Sequence, residues 1–103
     1  MPPGIIAVVM KAKTASEVHK LTDIPNVGPA MTRDFNLVGI SDPASLSSED
    51  GYEIYVRLCE AKGTRQDPCV LDTCIAAVDF MKGAPPKPWW HYTNERKRNY
   101  PDV

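Results

Sequence analysis

An all-α fold is predicted by three features of this 103-residue sequence. Apolar residues recur at intervals of three and four over residues 47–62 and 67–82, the spacing of helices with a buried face. Capping side chains followed by proline stand at Asp42-Pro43 and Asp67-Pro68, and Gly39, Gly63 and Gly83 stand where helices would stop. Residues 16–40 read as two short helices joined by a tight hairpin, Ile24-Pro25-Asn26-Val27-Gly28-Pro29.

The chain begins with an apolar run, Ile5-Ile6-Ala7-Val8-Val9-Met10, far shorter than the roughly 20 residues a bilayer requires. No basic region precedes it and no small-residue cleavage site follows, so a signal peptide is not expected. Residues 1–13 are read as an arm that packs on the helical body or on a neighbouring subunit. Ser16 is the expected N-cap of the first helix, on which Val18, Leu21 and Ile24 share a face. Pro25 stops that helix, because its ring has no N–H and disfavours helical geometry in the residue before it. Asn26 tolerates a left-handed backbone, and Gly28, lacking Cβ, lets another group come close to the main chain. Pro29 suits the first position of the second helix, where the missing N–H costs nothing. Ala30, Met31, Phe35 and Val38 follow at helical spacing, Thr32 is small enough for the first helix to approach, and Gly39 ends the helix.

Asp42 and Pro43 start one loose turn that Leu46 anchors. Ser47 or Ser48 is expected to cap a third helix running to about Lys62, with Glu49 and Asp50 in its first turn and Ile54, Tyr55, Leu58 and Cys59 on its buried stripe. Asp67 caps a fourth helix, to about Lys82, whose apolar positions are too many for one narrow stripe. It reads as the central helix, with Asp72 and Asp79 on a polar edge. Ala84-Pro85-Pro86-Lys87-Pro88 is extended, near polyproline II, and Trp89 is the expected return anchor in the core. Thr93 caps a last helix from Asn94 to Arg98, and residues 99–103 are expected to fray.

The 16–40 segment resembles a helix-hairpin-helix motif, whose hairpin runs hydrophobic-Pro-Gly-hydrophobic-Gly-Pro. Thr32, Phe35, Val38, Gly39 and Ile40 fill the positions that follow it in that motif. Asn26 replaces the first glycine, and Ala30 and Met31 stand where DNA-binding members often carry Lys or Arg. A longer resemblance covers residues 14–98. It rests on Asp23-Ile24-Pro25-Asn26-Val27-Gly28-Pro29, Arg65-Gln66-Asp67-Pro68-Cys69-Val70-Leu71-Asp72, and Pro88-Trp89-Trp90 with Thr93 and Lys97. These strings are similar to the small bacterial "pathogenicity locus" proteins, some labelled mitomycin resistance, and the layout is similar to the C-terminal domain of TfoX-type competence regulators. The resemblance implies a single helical domain, SAM-like in shape, with a DNA-related role and no established reaction.

The formal net charge of −1, from 12 basic and 13 acidic residues, differs from that of a strongly basic nucleic-acid binder. Three cysteines cannot all pair, so reduced, buried thiols in a cytoplasmic setting are expected. Cys69 and Cys74, five apart, lie about 140° apart around a helix axis and cannot chelate one ion together. Cys69 lies in a first helical turn, where a thiol pKa is lowered, but neither histidine is near it in sequence to serve as base. No enzyme activity, metal, cofactor, small-molecule substrate or membrane partner is expected.

The candidate site is the hairpin. The N–H groups of Gly28, Ala30 and Met31 would face a DNA phosphate at a helix N-terminus, with Asn26 and Val27 forming the turn and Lys20 and Arg33 adding charge. Such contacts hold the backbone and carry no sequence information. Arg96, Lys97 and Arg98 form a possible second contact, and Trp89 and Trp90 could stack on a base. The alternative is that the hairpin only joins two packed helices, within a helical domain that binds protein and no nucleic acid.

Overall fold

The computed structural model describes residues 11–103. Its elements are helical, with no strand among the described residues. Of the arm predicted over residues 1–13, residues 1–10 with the apolar run lie outside them. Four α-helices lie among the described residues: α1 (Pro29–Leu37), α2 (Gly51–Lys62), α3 (Pro68–Met81) and α4 (Thr93–Asn99). Short 3₁₀ turns connect them at Ala15–Glu17, Leu21–Asp23, Pro43–Ser48 and Trp89–Tyr92.

The segment before the hairpin is two 3₁₀ turns, where one α-helix capped by Ser16 is predicted. Asp23 gives the physical reason. Its Oδ2 accepts from the backbone N–H of His19 (2.9 Å) and of Lys20 (3.1 Å), so a side chain takes the Lys20 donor that a helix capped at Ser16 would turn back to the Ser16 carbonyl. Those bonds also hold the Asp23 carboxyl below its usual pKa. The apolar stripe survives the change, since Leu21 and Ile24 are buried and Val18 packs against the core.

α3 is the central helix, as its composition predicts. Leu71, Cys74, Ala77, Val78 and Phe80 are buried along it, and α2, α4 and two of the 3₁₀ turns pack around it. α2 approaches α3 tightly at Gly51, where an added Cβ would stand 2.9 Å from the Ile75 backbone. α2 is capped by Asp50, whose Oδ2 accepts from Glu53 N at 3.1 Å. The cap therefore falls two residues beyond Ser48, and Glu53 is the acidic residue of the first turn. Asp67 precedes Pro68 as predicted, but its side chain makes no capping hydrogen bond. At the other predicted start, Asp42 Oδ1 accepts from Ala44 N (3.1 Å) and Leu46 is fully buried.

Asp72 is the main departure. Far from lying on a polar edge, it is 0% exposed, and Arg96 of α4 donates its Nε–H to Oδ1 at 2.9 Å. The Thr93 hydroxyl donates to Oδ2 at 2.8 Å, so Thr93 ties α4 to α3 instead of capping its own helix. The return anchor is Tyr92, which is buried, while Trp89 is only half-buried and Trp90 is 63% exposed. Beyond α4, Tyr100 stacks on Tyr52 of α2 with ring centroids 4.4 Å apart, and Arg65 donates to the Asp102 carbonyl at 2.8 Å.

Candidate nucleic-acid interface

The hairpin is built as its residues predict. Asn26 takes the left-handed conformation, at φ 71°, that asparagine tolerates better than other side-chain-bearing residues. Val27 N donates to Ile24 O at 3.1 Å, closing the turn, and the Ile24 and Val27 side chains are wholly buried. Lys11 secures the turn from outside its own segment, donating from Nζ to Thr22 O (2.6 Å) and Val27 O (2.5 Å). Partial burial lowers the pKa of that amine, against the opposing influence of Asp23.

Gly28 is the N-cap of α1 and Pro29 its first residue. The N–H groups of Gly28, Ala30 and Met31 meet no acceptor among the described residues, while Thr32 N already donates to Gly28 O at 3.0 Å. Three donors unpaired among the described residues, at the positive end of a helix dipole, form a small anion-attracting surface. A Cβ built on Gly28 would meet no atom of the described residues within 4 Å, so the space beside Gly28 is open there. Around them, Lys20 and Arg33 are exposed and Met31 packs partly on the core. The Thr32 hydroxyl is buried without a hydrogen-bond partner among the described residues.

Two predicted site residues serve the fold. Val27 spends its N–H and its side chain inside the protein. The Asn26 amide turns to the proline-rich connector, its Nδ2 donating to Lys87 O at 2.7 Å and its Oδ1 accepting from Trp89 N at 3.2 Å. Asn26 therefore leaves the approach to Gly28 clear. Nothing local in the sequence marks this bridge, because its partners lie 61 and 63 residues away. In the predicted second contact, Arg96 is committed to Asp72, leaving Lys97 and Arg98 exposed.

Elsewhere the surface is less suited to an anion. A cleft of about 210 Å³ between α2, α3 and α4 is lined by Asp50, Asp79 and Glu95 with Lys82 and Tyr100, the wrong balance of charge for phosphate. No cluster of three or more metal-ligating side chains occurs among the described residues. Nor is any helix there long and apolar enough to cross a membrane. The three cysteines are free. Cys74 is buried, Cys59 half-buried and Cys69 exposed, so the expected burial of all three holds fully for Cys74 alone.

Comparison with known proteins gives this architecture its relatives. The family described as "Pathogenicity locus" matches residues 14–98, from the first 3₁₀ turn through α4. The chain belongs to that family. Over 85 residues it is also 48% identical to "Mitomycin resistance protein McrB" of Streptomyces lavendulae, an alignment that covers 82% of this chain and 81% of the relative. No solved structure matches. The match to the Pathogenicity locus family takes in both the hairpin and the buried Asp72–Arg96 pair.

Proposed function

We propose that this Pathogenicity locus protein is a non-catalytic module that binds the DNA backbone without sequence preference, through a helix-hairpin-helix-like surface. The observation that carries the reading is the set of free N–H groups on Gly28, Ala30 and Met31 at the start of α1, with open space at Gly28. The first helix of the motif is replaced by 3₁₀ turns, whereas the hairpin and the N-terminus of the helix after it are formed, and these are the parts that a phosphate would meet in this reading. The relative's mitomycin-resistance name is compatible with a DNA-related role.

Few phosphates can be engaged: one at Gly28, and about one or two more shared among the exposed Lys20, Arg33, Lys97 and Arg98. With about 0.9 of a counterion released per phosphate, the log–log salt dependence of duplex binding should have a slope of only about −1 to −3. Fluorescence anisotropy of labelled duplex DNA over a salt series measures it. Gly28→Val should abolish most binding while leaving the fold intact, since φ at Gly28 is −103°, which valine can adopt, and no neighbour lies within 4 Å. Arg33→Ala should weaken binding and flatten the slope by about one unit.

A protein-interaction domain is the second reading. It is favoured by Leu37, 53% exposed at the end of α1, and by a net charge of −1. Absence of duplex binding at very low salt would decide for it.

A further inference from the structure

We infer that the preferred ligand is DNA with unpaired bases, held by Trp90 stacking on a base while the hairpin holds the backbone. The inference rests on the DNA-binding reading above and adds the form of DNA bound. Trp90 is 63% exposed, the most exposed large apolar side chain among the described residues, and Trp89 meets it edge-on with ring centroids 5.6 Å apart. Burial does not account for an indole in that position.

What it stands beside is set by Asn26. The two amide hydrogen bonds to Lys87 O and Trp89 N clamp the end of the connector to the hairpin. With successive Cα atoms about 3.8 Å apart, Trp90 is rooted within roughly 15 Å of the Gly28 N–H, a span of a few nucleotides. The exposed His91 follows it in the chain, and the exposed Lys20 and Arg33 flank the hairpin. Free N–H donors, cations and an exposed aromatic within one such span match the backbone and bases of a single strand. A continuous duplex keeps its bases stacked inside and offers the indole nothing to cover.

Asn26 is thereby a positioning residue, coupling the aromatic to the backbone site. Asn26→Gly separates that role from folding, because glycine adopts φ 71° freely and removes only the amide.

The test compares a single-stranded oligothymidylate with a blunt duplex of equal length, by anisotropy at low salt. Trp89→Phe leaves Trp90 as the only fluorescent indole, since the chain has two tryptophans. The single strand should bind on the order of tenfold more tightly than the duplex and should quench Trp90 emission. Trp90→Ala should lower single-strand affinity about tenfold while changing duplex affinity less than twofold. Asn26→Gly should reduce the single-strand preference, and Gly28→Val should weaken both. Equal affinity for the two DNAs, or equal loss of both in Trp90→Ala, overturns this inference and leaves the backbone-binding reading standing. No binding of either DNA overturns both.

Discussion

Arg96 and Asp72 face each other across 2.9 Å inside the protein, 9% and 0% exposed. They are the only buried ionisable pair among the described residues whose side chains both carry charge. The pair joins α4 to the middle of α3, and Thr93 fills a second acceptor site on the same carboxylate.

Removing one member should therefore cost more than the bond itself, because the other is left charged and buried. Asp72→Ala should lower unfolding free energy by about 3–5 kcal/mol, read from the denaturant midpoint. The Asp72→Ala, Arg96→Ala double variant should cost clearly less than the sum of the single changes. Additive losses would mean that the two groups do not depend on each other.

The two aspartates that precede α2 and α3 should behave differently. Asp50 caps its helix through Glu53 N, so Asp50→Ala should cost about 1 kcal/mol. Asp67 makes no such bond, and Asp67→Ala should stay within about 0.5 kcal/mol of the parent. Urea titrations of both variants check the pair, and a larger loss at Asp67 would contradict the cap assignment.

Gly51 should tolerate no side chain. A Cβ there meets Ile75 backbone and side-chain atoms at 2.9 Å, so the helices must separate to admit it. Gly51→Ala should destabilise by about 1–3 kcal/mol in a thermal or denaturant melt. Gly28→Ala, in open space, is the matched control and should be near neutral.

Thiol labelling should resolve three rates. Cys69 is exposed and should react first, with Cys59 slower. Burial pushes the Cys74 thiol up to about 12, so this group lacks both access and thiolate and should label only on unfolding. Mass spectrometry of pulse-labelled peptides gives the order. Native labelling of Cys74 ahead of Cys59 would contradict the packing of α3.

The parts of the fold legible in the sequence are those governed by neighbours along the chain. The left-handed Asn26, Pro29 at the start of α1, Gly39 beyond its end and the buried Leu46 all follow from local backbone chemistry. α2 and α3 were readable from three-four spacing because each buries a broad face. The 3₁₀ turns were not, since Leu21 and Ile24 are spaced for either helix and Asp23 decides between them by bonding backward. Asp72 looked like a polar edge because its partner lies 24 residues away. Of the candidate site, the hairpin and its free donors were legible, whereas the bridge from Asn26 to Trp89 needed the fold to bring distant residues together.

That bridge bears on what can be cut from the molecule. Its two hydrogen bonds span 61 and 63 residues, so they exist only where the connector lies against the hairpin. The hairpin is consequently no portable cassette. A peptide of residues 14–40 would leave Leu21, Ile24, Val27 and Phe35 without the core that buries them, and would leave Asn26 holding nothing. Transplanting its surface to another scaffold means carrying the proline-rich connector with it.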